Sequence, residues 1–416
     1  MARASTVGVS VAALFVAVPT HAGAATLEPH TSVRGVEIDV ASVRAVGGAW
    51  RLTPWDDLDR TRLEPGHYQA RFEVKGDGDG GALELPNCAG REGISVDGRR
   101  AGAELGPQVA AYAARQTDRL KFLLAHRPGF VAPTLAARQL ATLDQFIDGR
   151  LAVHVITGGA DHEQAKDGDF LDKAARYART DEYIELLKKT WTSEAPFDHS
   201  GAFYKVVDSF SAVRCAHRPH IPVYFGGSSD EAIAVAGRHA DVYAFWGETL
   251  DQARETVGKV RASAARFGHE NSIRFSLSVR PILGRTEEQA WARAGRILES
   301  AKASDVSQRA SIFRRAGEAP QNVGSQRLLE AARGGKVRDK RLWTEMALLT
   351  GAGGNSTALV GTGEQVAEAL LEYWKLCITT FLIRGFDPLE DAIEYGRELI
   401  PRVRAATADR AVERVA

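Results

Sequence analysis

The chain has 416 residues, 44% of them hydrophobic, with 53 basic and 53 acidic side chains. This length suits one large α/β domain with a smaller module, and the balanced charge gives no reason to expect nucleic acid or an anionic membrane as a partner. Three widely spaced cysteines, Cys88, Cys215 and Cys377, match no metal-binding or redox spacing, so we interpret them as small apolar residues and predict no metal site.

Residues 1–25 differ in kind from the rest of the chain. Arg3 precedes an apolar run from Val7 to Val18, which is followed by the small residues Ala22-Gly23-Ala24. This pattern is typical of a secretory signal peptide and is short for a membrane span. A disordered leader rich in alanine and valine is the alternative.

Residues 26–104 are predicted to form a small β-rich module of unknown function. HYQARFEVK (67–75) alternates apolar and polar residues, and short strand-like stretches follow the glycine-rich turn GDGDGG. Short alternating strands at close spacing favour a sandwich-like arrangement. Trp50 and Trp55 are expected in its core.

From residue 105 to the end, a strand followed by a helix recurs six times. Pro133 is placed to open the first helix, and Leu171, Tyr183 and Leu187 are spaced for one face of a helix over 170–192. This repeat predicts a parallel sheet with right-handed crossovers, and a closed barrel or an open doubly wound sheet fits it equally. The predicted strands are RLKFLLAH (119–126), LAVHVIT (151–157), VYFGG (223–227), DVYAFWG (241–247), IRFSLSVRPIL (273–283) and TTFLIRG (379–385).

The stretch VYFGGSSDEA (223–232) joins one of these strands to a helix. Gly226 and Gly227 let the backbone approach a ligand closely, and Ser228 and Ser229 offer hydroxyl and N–H groups beside a helix N-terminus. Such a junction is a ready anion site, and phosphate is the expected guest. An ordinary serine N-cap is the alternative.

Six motifs in order carry a resemblance to a known family. They are RPGFVAPTLAARQLATLDQFIDGR (127–150), VITGG (155–159), RYARTDEY (176–183), VYFGGSSDEA (223–232), YAFWGET (243–249) and GGNSTALVGTGEQVAEAL (353–370). Over roughly residues 107–404 the chain resembles the bacterial luciferase-like flavin-dependent monooxygenases, closest to the alkanesulfonate monooxygenase branch.

The resemblance implies a TIM barrel with its site at the C-terminal ends of the strands. It also implies reduced FMN as co-substrate, O₂ as oxidant, an NAD(P)H-dependent flavin reductase as partner, a homo-oligomer, and a cytoplasmic location. The signal-like leader makes secretion or the periplasm the alternative location.

The resemblance assigns the expected flavin contacts residue by residue. The loop 226–229 would hold the FMN phosphate, and the hydroxyl of Tyr177 would point toward the same phosphate, with simple packing as its alternative. Thr157 and Gly158 would lie beside the flavin ring, or would merely end a strand.

His154 and Trp246 are the next two expected site residues. His154 stands where the sulfonate branch has an asparagine near the flavin, although a histidine in an apolar strand is usually a core residue. Trp246 matches a family tryptophan at the mouth of the active site, and core packing is its alternative.

The residues expected to contact the substrate differ from those of the sulfonate branch. Ser278 and Arg280 stand where that branch has an arginine and a histidine, so Arg280 is expected to bind an anionic group. Phe386 replaces a tyrosine and has no hydroxyl, which argues against a simple alkanesulfonate as substrate. Arg384 is a further candidate for an anion contact, or forms a surface ion pair. Residues 305–350 are expected to be a mobile lid or a solvated loop.

The resemblance starts near Gln108, in the helix just before the third family strand. The sequence therefore predicts a TIM-barrel-like (β/α)₈ domain over 105–416 that lacks its first two βα units, as a fusion or truncation would produce. The expected function is oxidation of a small organic substrate, organosulfur compounds included, by reduced FMN and O₂. The alternatives are a deazaflavin-dependent hydride transferase of the same fold and a non-catalytic flavin-binding product.

Overall fold

A computed structural model describes residues 106–158, 161–303, 320 and 322–408, together with the backbones of the strands before residue 102. Apart from the backbones of two short strands at 9–11 and 15–17, the predicted leader lies outside the described residues. So do Trp50, Trp55, Cys88 and residues 305–319 and 321 of the predicted lid. The chain divides into two compact units, Met1–Leu124 and Ala125–Ala416.

The first unit contains a sheet in the order β1-β6-β4-β3, with β2 on β6 and β5 on β4, and a separate β7–β8 pair. Its strand β6 covers the residues predicted as a strand at 67–75. The strands are β1 (Val9–Val11), β2 (Phe15–Ala17), β3 (His30–Val33), β4 (Val36–Ala45), β5 (Thr53–Pro54), β6 (His67–Lys75), β7 (Ile94–Val96) and β8 (Arg99–Ala101), and helix α1 (Gly106–Ala114) follows.

The remaining strands begin at β9, which crosses the boundary between the two units. They are β9 (Phe122–His126), β10 (Leu151–Val155), β11 (Phe197–Ser200), β12 (Lys205–Ser209), β13 (Val223–Gly226), β14 (Val242–Trp246), β15 (Arg274–Leu283), β16 (Val337–Arg338), β17 (Leu342–Trp343), β18 (Ala358–Gly361) and β19 (Ile378–Ile383).

The helices of the second unit follow the strands in alternation. They are α2 (Pro133–Phe146), α3 (Asp161–Gln164), α4 (Lys173–Thr192), α5 (Asp230–His239), α6 (Leu250–Ala265), α7 (Glu287–Ala303), α8 (Val323–Arg333), α9 (Glu345–Thr350), α10 (Gly363–Trp374), α11 (Pro388–Glu394) and α12 (Ile400–Thr407). A 3₁₀ turn covers Ala165–Asp167 and a π-helical turn covers Tyr395–Leu399.

The main sheet runs in the order β16-β17-β18-β15-β14-β13-β10-β9, with β19 also paired to β15. Strands β10, β13, β14 and β15 pair in parallel, and β15 pairs in parallel with β19 along its first half and with β18 along its second. The mixed α/β architecture with a mostly parallel sheet is thus confirmed. The count of six strands is wrong, because β18 is a further parallel strand inside the GGNSTALVGTGEQ stretch.

Alternation along the strands separates an apolar face from a polar one. In β10, Leu151, Val153 and Val155 are buried, whereas Ala152 and His154 are half-buried. In β15, Val279 packs with residues of α10 in one apolar cluster, so its neighbours Ser278 and Arg280 lie on the opposite face. The helices therefore cover the apolar face, and the polar residues line the other.

Local signals set two of the helix starts. Helix α2 begins at Pro133 as predicted. Helix α4 begins at Lys173 instead of 170, because the Asp172 carboxylate accepts a hydrogen bond from the Ala175 N–H and caps it there. Leu171 consequently precedes the helix, and its predicted place on the buried helix face is wrong.

Among the described helices, none has the length and hydropathy needed to cross a membrane.

Candidate cofactor and substrate site

The turn after β13 has no room for a side chain at Gly226 or Gly227, and we call these two residues the glycine cradle. A Cβ on Gly226 would lie 2.2 Å from the carbonyl oxygen of Ala244. Gly227 has φ +136°, and a Cβ there would lie 2.7 Å from the Cβ of Ala232 and 3.1 Å from the hydroxyl of Tyr177. The predicted glycine loop and Tyr177 are therefore brought together, as the sequence led us to expect.

Ser229 caps the helix that follows the loop and contacts Tyr177. Its side chain is buried and accepts a hydrogen bond from the Ala232 N–H at 3.3 Å, which caps helix α5. The Tyr177 hydroxyl also shares a hydrogen bond with Ser229. Burial raises the pKa of Tyr177, an effect that this hydrogen bond partly opposes, so the phenol stays protonated and able to donate at neutral pH. Ser228 is half-buried beside it.

Tyr243 also fixes this loop, although it was not predicted as a site residue. The side chain is fully buried on β14, and its hydroxyl donates to the Gly227 carbonyl at 2.6 Å. Burial raises its pKa. The available signal was a tyrosine within an apolar strand, because a buried tyrosine hydroxyl needs a hydrogen-bond partner.

In the described part of the chain, buried polar atoms without partners also occur after β10 and at the start of α4. Thr157 is 7% exposed, and Gln164 and Arg176 are each 1% exposed. The Oγ1 of Thr157, the Nε2 of Gln164 and the Nε of Arg176 have no hydrogen-bond partner among the described residues. Gly158 has φ +101°, and a Cβ there would lie 2.5 Å from the side chain of Gln164.

Buried polar groups in native proteins are normally paired, so these atoms are available to hydrogen-bond a polar ligand or water. Arg176 keeps its place through an ion pair with Asp161 at 2.8 Å. Arg176 belongs to the RYARTDEY motif but was not itself predicted as a site residue, and neither was Gln164. The unpaired donors and the glycine cradle together fit a phosphorylated polar cofactor such as FMN.

His154 lies on the polar face of β10. Its ring centroid is 6.5 Å from that of Tyr224, its register partner on β13. Desolvation lowers the pKa of His154 from 6.5 to about 4. The imidazole is therefore neutral at neutral pH, and it can offer one donor and one acceptor but no charge.

Trp246 is the last residue of β14, and it pairs with Ser278 of the neighbouring strand β15. A Cβ on Gly324 would lie 3.3 Å from the indole, which also packs against the cluster that contains Leu328 and Ala347. Trp246 therefore contacts helix α8, in the middle of the segment predicted to cover the site.

Arg280 lies within β15 and joins the loop before β18 to the loop after β19. Its Nε donates to the Asn355 carbonyl and its Nη1 to the Gly385 carbonyl, each at 2.9 Å. The guanidinium carbon lies 4.9 Å from the centroid of the Phe386 ring. Phe386, the residue without the family hydroxyl, thus stacks on the expected anion-binding arginine.

Arg384 follows β19 and lies beside Arg280. The register pairs Val279 with Ile383, and the Arg384 N–H donates to the Val279 carbonyl at 3.3 Å. Its side chain is half-buried, and among the described residues no hydrogen bond or ion pair is formed by its guanidinium. Two cations, one on β15 and one directly after β19, favour binding of an anionic group.

Comparisons with known proteins agree with this architecture. A family model described as luciferase-like monooxygenase matches residues 99–380. Among similar solved structures, a riboflavin lyase (RcaE) with modified FMN and riboflavin is 20% identical, with a TM-score of 0.62 and 76% of each chain covered. An EDTA monooxygenase (EmoA) from Chelativorans sp. BNC1 is 19% identical, with a TM-score of 0.58, 76% of this chain and 81% of that chain covered.

The same fold also occurs with another cofactor. An F420-dependent secondary alcohol dehydrogenase in complex with an F420–acetone adduct is 17% identical, with a TM-score of 0.52, 74% of this chain and 85% of that chain covered. At these identities the likeness shows the fold alone.

Proposed function

The chain belongs to the luciferase-like monooxygenase family, and on that premise we propose that it oxidises a small organic substrate with O₂ and reduced FMN. The glycine cradle closed by Tyr177 is the observation that carries this proposal. Its protonated hydroxyl and the Ser228–Ser229 turn match the needs of a phosphate at a helix N-terminus.

The flavin-binding residues divide by position. Gly226, Gly227, Ser228, Ser229 and Tyr177 would hold the phosphate. Thr157, Gly158, Gln164 and Arg176 would meet the remaining polar groups of FMN. When bound, reduced FMN supplies the electrons for O₂ activation, and the protein residues position it and exclude water.

The substrate end of the site favours an anionic organic molecule. Arg384 has no counter-charge among the described residues, and Arg280 lies beside it with its guanidinium held by backbone carbonyls. We therefore propose that Arg384 contacts the anionic group of the substrate and that Arg280 sets the shape and charge of its surroundings. Organosulfonates belong to this class.

We also propose an NAD(P)H-dependent flavin reductase as the partner that supplies reduced FMN. A monooxygenase that takes reduced flavin as co-substrate depends on such a supply, which favours the cytoplasm as its location. A homo-oligomer is the expected assembly.

The test compares cofactors on purified protein. Titration with oxidised FMN is expected to quench flavin fluorescence, and O₂ uptake above the background of free flavin is expected only with reduced FMN. Reduced F420 is the matched comparison. Hydride transfer from F420 without FMN binding would support the hydride transferase, and binding of neither cofactor would support the non-catalytic product.

The Ser228→Ala/Ser229→Ala double variant ties this activity to the cradle. Loss of hydrogen bonds to a charged phosphate is expected to weaken FMN binding by about 1–3 kcal/mol. An unchanged FMN affinity would remove this loop from the cofactor site.

A further inference from the structure

Helix α8 is joined to the loop after β14 by a buried ion pair. The Arg327 Nε lies 2.9 Å from Glu248 Oε1, and the Arg327 Nη2 lies 2.9 Å from Glu248 Oε2. Glu248 is 1% exposed. This is a bidentate arginine–carboxylate pair, which fixes direction as well as distance.

The remaining polar atoms of the pair are also engaged. Arg327 Nη1 donates to Glu255 at 3.0 Å, and Nη2 donates to the Gln252 carbonyl at 2.9 Å. The Gln252 amide donates back to the Arg327 carbonyl at 3.1 Å, and the Tyr373 hydroxyl donates to the Glu248 carbonyl at 2.6 Å. Both partners are therefore held from several sides.

Arg327 of this ion pair lies on α8, the helix that contacts Trp246. Glu248 follows Trp246 by two residues, and Arg327 follows Gly324 by three. Gly324 lies against the indole, and the Ser325 hydroxyl donates to the Ala352 carbonyl at 2.7 Å. One helix turn thus carries the indole contact and the ion pair together.

Apolar packing alone does not specify this arrangement. The cluster of Leu328, Ala347 and Ala352 already attaches α8, but hydrophobic contact is non-directional and tolerates rotation or sliding of a helix. A buried ion pair contributes little net stability relative to an apolar pair of equal size, whereas it penalises strongly any geometry in which one charge stays unpaired.

We propose that Arg327 and Glu248 are positioning residues that hold α8 at one register, so that Trp246 stays enclosed at the end of β14. The role assigned to Trp246 at the mouth of a flavin site rests on the proposed function. The effect of the pair on the indole does not depend on it.

The experiment isolates the fluorescence of Trp246 by subtracting the spectrum of a matched protein that also carries Trp246→Phe. Arg327→Met is expected to shift the Trp246 emission to longer wavelength and to raise its quenching by acrylamide. Arg333→Met, on the exposed end of the same helix, is the control and is expected to change neither.

A double variant separates positioning from stability. Arg327→Met leaves Glu248 as an unpaired buried charge, so its Tm is expected to fall. In Glu248→Gln/Arg327→Met the charge is removed, and the Tm is expected to recover while the Trp246 emission stays shifted. Arg327→Lys, which cannot form the bidentate contact, is expected to give an intermediate shift.

A Trp246 spectrum unchanged in the double variant would overturn the proposal and leave the pair a purely stabilising contact. If Arg327→Met does not fold, the double variant alone decides. Failure of the proposed function is recognised separately, because the unmodified protein would then not bind FMN whatever the Trp246 spectra show.

Discussion

The two ends of the candidate site are built in different ways. At the cofactor end, the loop 226–229 lies between one strand and the helix that follows it, and its cap, its glycines and its helix N-terminus are consecutive in the chain. At the substrate end, Arg280 is held by carbonyls 75 and 105 residues away. The first end is therefore specified locally, and the second depends on how distant loops meet.

This difference has a functional meaning. A phosphate-binding turn needs only a strand, two glycines and a helix start, so members of a family can keep it while their substrates change. The substrate end depends on the loop before β18 and the loop after β19, and here it carries Ser278, Phe386 and the arginines Arg280 and Arg384. Variants at each end should accordingly fail in different ways.

Gly226→Ala is expected to have the largest effect on stability and on FMN binding, because it changes the loop 226–229 itself. The new Cβ would lie 2.2 Å from the Ala244 carbonyl oxygen, a backbone atom that moves only if β13 and β14 separate. Overpacking of this kind costs about 3 kcal/mol in the free energy of unfolding. Urea denaturation and FMN titration measure the two consequences.

Gly258→Ala is the matched control for that substitution. Gly258 lies inside α6, and apart from the backbone of its own helix no atom lies within 4 Å of the place that an added Cβ would take. Alanine is expected there to stabilise the protein by about 0.5–1 kcal/mol. Equal behaviour of the two variants would contradict the close packing of the cradle.

Acid is expected to destabilise the protein through two desolvated histidines, His126 on β9 and His154 on β10. Desolvation lowers the pKa of His126 and of His154 from 6.5 to about 4. Below pH 6.5 the unfolded chain therefore binds more protons than the folded one, so stability falls between pH 6.5 and pH 4, by roughly 3 kcal/mol for each histidine.

His154→Gln is expected to flatten the pH dependence of the free energy of unfolding in that window. The loss of stability between pH 6.5 and pH 4 should shrink relative to the unmodified protein, while carboxylates contribute equally to both. An unchanged slope would mean that His154 is well solvated and that the polar face of β10 is open to bulk water.

The features predictable from sequence were those set by neighbouring residues. Proline opens α2, the alternation of strands and helices gives the sheet, and the serine turn caps α5. Strand β18 was missed because four residues after a glycine-rich turn carry little periodicity. The contacts of Tyr243 with Gly227 and of Arg280 with Gly385 were missed because they depend on sheet register and on loop positions, which no local pattern encodes.

Ser229→Ala tests whether the cofactor end is more than a capped helix. Its hydroxyl caps α5, and Thr249 caps α6 in the same way. Each alanine variant is expected to lose about 1 kcal/mol of stability. Only Ser229→Ala should also weaken FMN binding, so equal FMN affinity in the two variants would leave Ser229 a cap alone.

Arg384→Met is expected to have the smallest effect on stability and to separate the two ends most cleanly. Because its guanidinium makes no hydrogen bond or ion pair among the described residues, the free energy of unfolding should change by less than about 0.5 kcal/mol. Arg280→Met should be the more destabilising of the two, because it removes the donors to the Asn355 and Gly385 carbonyls. Calorimetric titration of the FMN-loaded protein measures the anion contact, with octanesulfonate as an anionic probe and not as a turnover substrate, and with octanol as the uncharged comparison. Weaker octanesulfonate binding with unchanged FMN affinity is expected for Arg384→Met, whereas unchanged binding of both would leave Arg384 outside the substrate site.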